Sequence, residues 1–271
     1  MRNLRIQTSR SRAVDLLRDI AVEQPDEIDL ELLAWRVARL RIEEGALKNA
    51  LGRLIRGTNG GTIRVSGDIQ HGGRKRFTIA HEIGHAVLHA PGTPWDGHRE
   101  LSTWDDSSIE AEANGFAAEL LMPGFLFGPR LVGLRPEHRI IDALAEDFGT
   151  SNLASTRQFV EYTHEPAALV VCTKNGGNGN GWKCWFRRGS HFTHRIKQGR
   201  PHPYTAAGEI IDGKGESTNG LVKIPADAWL ENVSSRNRSF ILEDSRSIQA
   251  LGMVVSLLWI DDEIEEEWNR D

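Results

Sequence analysis

A chain of 271 residues, 39% apolar and 26% charged, is long enough for one large domain or two smaller ones with buried cores. Its formal net charge of −5 and its pI near 6.1 exclude the strongly positive overall charge typical of proteins that bind nucleic acids or anionic membranes. The longest apolar run, at 250–260, is far shorter than the ~20 residues of a membrane span, and the basic start lacks the apolar segment of a secretory signal. The composition therefore predicts a soluble intracellular protein.

The first part of the chain alternates helical and extended patterns. Apolar residues recur at helical spacing over 11–22 and again over 28–38, which predicts two amphipathic helices. Three short extended pieces follow, at 40–42, 53–56 and 62–65. Because the turn-rich sequence TNGG separates the last two, we expect a small antiparallel sheet or hairpin.

The next helix carries the most informative motif, HEIGH at 81–85. We expect a polar loop over 67–76 and a helix that starts near Thr78. Two imidazoles four residues apart lie one turn apart on the same helical face, so that both reach one metal ion. Glu82 projects beside the open coordination position, where it can deprotonate a water molecule. The alternative is an ordinary amphipathic helix with satisfied histidines, because the five-residue pattern also occurs by chance.

A catalytic zinc ion needs a third protein ligand, and a second helix predicted over 107–122 offers three carboxylates. At about 100° per residue, Glu110 lies roughly 60° from the centre of the apolar stripe of this helix, at its edge. Glu112 lies roughly 100° away and Glu119 further still, both toward solvent. A carboxylate at the edge of a buried face is costly unless it is paired, and zinc is a suitable partner. Glu110 is therefore the predicted third ligand.

Two further polar residues lie one turn from the predicted ligands. Asn114 follows Glu110 on the same side of its helix, where its amide oxygen can accept the free N–H of a ligating histidine and fix its tautomer. A helix-surface amide is the alternative for Asn114. His89 continues the four-residue spacing, but it is one turn too far to share a metal ion with His81 and His85. We expect it to lie in the core or to support a ligand from outside.

The later part of the chain changes in character near 164–166. Helical patterns over 138–147 and 151–162 precede this point, and strand patterns follow it. The predicted strands are 167–173, 182–186, 240–243 and 250–260, with a glycine- and asparagine-rich turn at 175–181. We therefore expect a domain junction near 164–166.

The chain contains two cysteines, Cys172 and Cys184. Two cysteines are too few for a disulfide framework, so we expect two reduced thiols in a cytoplasmic protein. Zinc binding by the two thiolates is the alternative, although their spacing matches no usual zinc finger.

With these residues placed, the sequence resembles the ImmA/IrrE family of prokaryotic metallopeptidases. The resemblance covers about residues 10–165, and the matching motifs are RKRFTIAHEIGHAVLH at 74–89 and EAEANGFAAELLMP at 110–123. Their order and separation also match. The resemblance implies a zinc metalloendopeptidase of the HExxH type with one zinc ion per chain. It implies that zinc is bound by His81, His85 and Glu110. It also implies that Glu82 is the general base.

The resemblance also implies the fold class and the domain organisation. We expect an α+β protein whose minimal gluzincin-like metallopeptidase core, with the small antiparallel sheet, spans 1–128. A helix-turn-helix-like helical unit at 129–165 and a strand-rich C-terminal domain at 166–271 follow. One branch of the family carries a GAF-like domain at this place, so that the last region is expected to be GAF-like and to have a sensory or substrate-binding role.

The family's known activity implies a specific reaction, the site-specific cleavage of a helix-turn-helix (XRE-type) transcriptional repressor. Cleavage relieves repression of mobile-element or stress-response genes. The expected partner is therefore a protein substrate, with no membrane and no direct nucleic-acid contact.

The alternative is a metal-binding regulatory or DNA-binding protein that uses the segment at 129–165, with little or no peptidase turnover. The second helix of this segment offers Arg157 as its only cation, whereas the first helix carries Asp142, Glu146 and Asp147. These residues are poorly suited to phosphate contacts. Packing or substrate docking is therefore the favoured role of this segment.

Overall fold

The computed structural model of the protein describes residues 2–48, 50–90, 108–174, 181–233, 239–261 and 264. The chain divides into two compact units, Met1–Pro129 with Ala145–Ala154 and Arg130–Leu144 with Ser155–Asp271. The predicted α+β architecture is confirmed, because helices combine with a small sheet in the first unit and a larger sheet lies in the second. Residues 91–107, which include the first residue of the helix predicted over 107–122, and most of the turn at 175–181 lie outside the described residues. Within the described ranges, no helix has the length and apolar character needed to cross a membrane.

The first unit combines helices with a three-stranded sheet. Its elements are α1 (Arg2–Asp19), α2 (Leu30–Ala38), β1 (Leu40–Gly45), β2 (Gly52–Gly57), β3 (Gly60–Ser66), α3 (Gly72–Leu88), α4 (Ser108–Leu121) and α5 (Gly124–Phe127). The strand order is β1-β3-β2. Strands β2 and β3 form the expected antiparallel hairpin, but β1 runs parallel to β3. The small sheet is therefore mixed and not antiparallel as predicted, because β3 occupies its centre and pairs with β1, which runs in the same direction.

Helix α3 begins earlier than the sequence pattern indicates. It starts at Gly72 and not near Thr78, so the end of the expected polar loop is helical. The backbone N–H of Arg74 donates to the ring of the N-cap residue His71. Two glycines at the start of the helix lower its helix propensity, which concealed this turn. At Gly73 an added Cβ would lie 2.2 Å from the carbonyl carbon of Thr150, so only glycine allows this close backbone contact.

Helices α3 and α4 pack closely together at Gly84 of α3, which has no side chain. A Cβ added at Gly84 would lie 3.1 Å from Cδ1 of Phe116 and 3.3 Å from Cα of Ala113. Helix α1 also packs against α4, and Gly115 allows that approach, since its added Cβ would lie 3.2 Å from Cγ2 of Ile6. As a result, polar side chains of α3 and α4 reach one another in the interior.

Helices α6 (His138–Asp147) and α7 (Asn152–Tyr162) occupy the two predicted helical stretches. Gly149 between them has φ of 58°, a left-handed conformation that glycine adopts readily at the end of a helix. The helix-turn-helix-like domain at 129–165 and the other two domain boundaries stay predictions.

The second unit contains a five-stranded antiparallel sheet with the strand order β5-β4-β8-β7-β6. Its elements are β4 (Ala167–Lys174), β5 (Trp182–Arg188), α8 (Ala206–Ile211), β6 (Val222–Pro225), α9 (Ala226–Trp229), β7 (Phe240–Ile248) and β8 (Met253–Trp259). Apolar side chains from several of these elements form a buried core, including Val170, Trp229 and Leu258. All four predicted strands are present, although β7 is longer than predicted and β6 was not foreseen. The GAF-like character of this region stays a prediction.

The two cysteines form a disulfide bond between β4 and β5, so the expectation of two reduced thiols is wrong. Cys172 and Cys184 are direct partners in the antiparallel register, with their Cα atoms 4.0 Å apart. Residues that face each other across two antiparallel strands project their side chains to the same side of the sheet. The number of intervening residues does not reveal that register, which explains why the sequence did not predict the bond.

Candidate metal centre

The middle of α3 is buried on every side. All residues from Phe77 to His85 are buried, because this stretch lies between α4 and the three-stranded sheet. His81 and Glu82 are completely inaccessible, and His85 is 1% exposed. Buried polar groups require partners, so the surroundings of these three side chains indicate their role.

Three ligand atoms converge between α3 and α4. The Nε2 atoms of His81 and His85 lie 2.9 Å apart. Oε2 of Glu110 lies 3.1 Å from Nε2 of His81, and Oε1 lies 3.4 Å from Nε2 of His85. Ligands of a tetrahedral zinc ion with bonds of ~2.0–2.1 Å lie roughly 3.3 Å from one another. Within the described residues, these three side chains form a group compact enough to hold a metal ion.

The hydrogen-bonding state of His81 leaves a lone pair directed at this group. Its Nδ1 lies 2.9 Å from Oδ1 of Asn114, which is 4% exposed. Since an amide oxygen only accepts, Nδ1 carries the proton and Nε2 keeps the lone pair. Burial lowers the pKa of His81, which favours the neutral ring that a metal ligand requires. The structure therefore places Asn114 against a predicted ligand and not on the helix surface.

Glu110 contributes the negative charge. Burial by itself raises the pKa of its carboxyl group, but the contacts with His81 and His85 outweigh that effect and hold the pKa below its ordinary value. Two imidazole nitrogens and an ionised carboxylate thus face one buried point. Such a set of acceptors fits a cation, and its mixture of nitrogen and oxygen atoms is typical of catalytic zinc sites.

Glu82 lies beside this group as a buried carboxylate. By distance and angle, neither of its oxygens makes a hydrogen bond within the described residues, although the backbone of Leu54 interacts with the carboxylate strongly enough to lower its pKa. Burial, and next the charge of Glu110, raise the pKa of Glu82 to about 8, against smaller opposing effects of the Leu54 backbone and the Arg53 charge. A buried carboxyl group of this kind is destabilising when it ionises and is often found where proton transfer is needed.

Strand β2 forms the edge of the sheet next to Glu82. A Cβ added at Gly52 would lie 2.9 Å from Oε1 of Glu82 and 2.5 Å from Cγ2 of Thr78, so glycine leaves the space that Glu82 occupies. The carbonyl oxygen of Leu51 accepts from the backbone N–H of Ser66. Because backbone groups alternate in direction along a strand, those of residues 52, 54 and 56 face away from β3. In the described part of the sheet, β2 pairs only with β3.

The other carboxylates of α4 have partners of their own. Glu112 was expected to face solvent, but its side chain is 15% exposed and its Oε2 lies 3.3 Å from Nε2 of His89. Glu119, also expected in solvent, is buried and accepts a 2.8 Å hydrogen bond from the backbone N–H of Gly124. Both residues lie outside the apolar stripe of α4, but helix α1 packs against another face of α4.

His89 lies at the end of α3, outside the group of three ligand atoms. Its Nδ1 contacts Nδ1 of His85 at 3.0 Å, whereas its Nε2 is directed at Glu112. Arg56 on β2 donates from Nη2 to the carbonyl oxygens of His85 and His89, at 2.7 and 2.9 Å. The sequence offered no signal for Arg56 or Gly52, because both act through contacts between β2 and α3.

Comparisons with known proteins identify a peptidase family. A model of the peptidase family described as the IrrE N-terminal-like domain matches residues 37–156. The radiation response metalloprotease IrrE of Deinococcus deserti is 32% identical over 130 residues, which are 46% of this chain and 46% of that protein. The chain thus spans about half the length of this curated relative.

A solved structure resembles almost the whole chain. A Mycobacterium tuberculosis transcriptional regulator matches with a TM-score of 0.57 and 15% identity, over 96% of this chain and 78% of that one. At this level of identity the likeness concerns the fold alone.

Proposed function

The chain belongs, through residues 37–156, to the ImmA/IrrE family of metallopeptidases, and from this we propose that it is a zinc-dependent endopeptidase. The observation that carries the proposal is the convergence of His81, His85 and Glu110 on one buried point, next to the Glu82 carboxyl group. A purely structural metal site has no need of a base beside its ligands.

His81, His85 and Glu110 would hold one zinc ion per chain, in a set of two nitrogens and one carboxylate that leaves a further coordination position. When bound there, zinc supplies Lewis-acid chemistry, because it polarises a peptide carbonyl and makes water easier to deprotonate. Asn114 holds the His81 ring in the tautomer that directs Nε2 toward the ion.

Glu82 carries out the proton transfers. Its carboxylate accepts a proton from the attacking water and later delivers that proton to the leaving amine nitrogen as the peptide C–N bond breaks. In the metal-free protein burial raises the pKa of Glu82 to about 8; a bound cation would lower it again, toward the range that is suited to both steps. Burial also excludes bulk water from the group, and Gly52 leaves the space that the carboxyl group occupies.

We expect an extended peptide to bind along the edge of β2 that faces away from β3 and pairs with no other described strand. The outward-facing backbone groups at residues 52 and 56 allow a substrate strand to pair with the sheet, while the backbone of Leu54 also interacts with Glu82. Because Gly52 lies directly against Glu82, a strand paired there would run past the base. Substrates should therefore be cleaved in extended segments and not in helices.

As the biological reaction, we propose the site-specific cleavage of a helix-turn-helix repressor of the XRE type, which relieves repression of mobile-element or stress-response genes. The family resemblance supports this substrate, and the IrrE relative is itself described as a radiation response metalloprotease. The cytoplasm follows as the expected compartment, because repressors act there. This location rests on the substrate and no longer on reduced thiols.

The direct test is incubation of the zinc-loaded protein with a purified helix-turn-helix repressor, sought first among the genes adjacent to its own, followed by gel electrophoresis and mass spectrometry. We expect one cleavage site with the wild-type protein. The Glu82→Gln variant should keep its zinc and leave the repressor intact. Normal cleavage by this variant would exclude Glu82 as the base. Cleavage of unstructured peptides but not of the repressor would refute the substrate and leave the peptidase activity standing.

A further inference from the structure

A series of hydrogen bonds lies behind the ligand group, on the side away from the converging atoms. Nδ1 of His85 contacts Nδ1 of His89 at 3.0 Å, and Nε2 of His89 contacts Oε2 of Glu112 at 3.3 Å. The His85, His89 and Glu112 side chains are 2%, 9% and 15% exposed. We call these three residues the outer network. The proposed reaction does not by itself require His89 or Glu112.

The chemistry of the site determines the direction of each hydrogen bond. Nε2 of His85 faces the other ligand atoms, so it must keep its lone pair for the cation, and the ring proton is on Nδ1. His85 Nδ1 is then the donor and His89 Nδ1 the acceptor. A neutral His89 ring that accepts at Nδ1 carries its proton on Nε2, which donates to Glu112. Every donor in the outer network therefore meets an acceptor.

We infer that His89 is a positioning residue which, together with Glu112, fixes the tautomer and the orientation of the His85 ring. The inference rests on the metal site proposed above. A ligating histidine usually donates its second N–H to a carboxylate or a carbonyl oxygen. In this protein the acceptor for the His85 N–H is the imidazole of His89. The carboxylate of Glu112 contacts that imidazole in turn and makes it a stronger acceptor.

Histidine is suited to this position because it accepts at one ring nitrogen while it donates at the other. The backbone holds it there, since His89 is the C-cap of α3 with φ −120° and ψ 137°. The guanidinium group of Arg56 binds the carbonyl oxygens of both His85 and His89. The two ring-bearing residues are thereby fixed relative to β2 as well as to each other. The Nδ1 atom of the other histidine ligand, His81, contacts the neutral amide of Asn114.

Two amide substitutions separate the two contacts of His89. In His89→Asn, the side-chain oxygen can take the place of Nδ1 and accept from His85, while the contact with Glu112 is lost. In His89→Gln, the longer side chain can reach Glu112, but it places no acceptor at Nδ1. His89→Leu removes both contacts and keeps an apolar side chain. Circular dichroism and thermal unfolding of the metal-free variants show whether each one folds.

The measurement is the zinc dissociation constant, obtained by competition with a chromophoric chelator. We expect the Leu and Gln variants to bind zinc about 10- to 100-fold more weakly than the wild-type protein, and the Asn variant to recover most of this loss. Glu112→Gln should weaken binding in the wild-type background and have no effect in His89→Asn. Equal affinity of all variants, or an Asn variant as weak as the Leu variant, would overturn the inference. The Asn and Gln variants decide the matter if the Leu variant does not fold.

A spectroscopic measurement distinguishes positioning from simple packing. In zinc-loaded protein with ¹⁵N-labelled histidine, long-range NMR correlations should show His85 protonated at Nδ1 and His89 protonated at Nε2. A His89 ring protonated at Nδ1 would contradict the outer network. A wild-type protein that binds no zinc at all would instead refute the proposed function, so the two failures are distinguishable.

Discussion

The substitution Glu82→Gln in the metal-free protein tests the electrostatic account of the site independently of catalysis. Glutamine has the shape of the protonated acid but cannot ionise. The pKa of Glu82 is raised to about 8 by burial and by the charge of Glu110, whereas the same group in the unfolded chain titrates at its ordinary pKa of 4.5. The folded protein therefore retains a proton that the unfolded chain releases.

The sign and size of the effect follow from this difference. Between pH 4.5 and 8 the unfolded state binds fewer protons than the folded state, so the stability of the wild-type protein falls as the pH rises through that window. At ~1.4 kcal/mol per pH unit, the loss at pH 7 amounts to about 3 kcal/mol. The variant lacks this loss. We expect equal stabilities near pH 4.5 and a variant about 3 kcal/mol more stable at pH 7.

Urea unfolding of both proteins at several pH values, in the presence of a strong chelator, measures this difference. Glu23→Gln, at an exposed carboxylate, is the matched control and should follow the wild-type protein at every pH. Excess zinc should reduce the advantage of the Glu82 variant, because a nearby cation stabilises the carboxylate form. A constant difference between the two proteins from pH 4.5 to 8 would refute the raised pKa.

Three further substitutions test the ligands, the packing at the base and the disulfide. Glu110→Ala should weaken zinc binding in chelator competition far more than Glu112→Ala, since only the first removes a ligand; equal losses would contradict the choice of ligand. Gly52→Ala adds a Cβ 2.9 Å from Oε1 of Glu82, so we expect slower peptide cleavage at unchanged zinc content. An unchanged cleavage rate would show that this contact has no effect. Cys172→Ser opens a short disulfide-closed loop and should lower the free energy of unfolding by about 3 kcal/mol, measured by urea denaturation. Reduction of the wild-type protein should have the same effect, and no response to reductant would mean that the thiols are free in solution.

Local periodicity was sufficient for much of the fold. The spacing of apolar residues predicted α6 and α7 and the core of every strand except β6, because each pattern reports which face of one element is buried. The same reasoning selected Glu110 among the carboxylates of α4, and the structure brings its oxygens within 3.4 Å of the nitrogens of His81 and His85. The candidate ligands on two helices could be selected from the sequence because the direction of each side chain depends mainly on its position around its own helix.

Only the tertiary structure decided how separate elements meet. The sequence alone predicted a helix with two histidines spaced to bind a metal ion, a candidate base between them and a carboxylate at the edge of a second helix. It did not determine the parallel pairing of β1 with β3, the register that joins Cys172 to Cys184, or the burial of Glu119 beneath α1. It also left open the contacts of Gly52 with Glu82 and of His89 with Glu112. These features depend on the register and packing of distant segments, and a periodic pattern records the buried face of an element but not the partner that covers it.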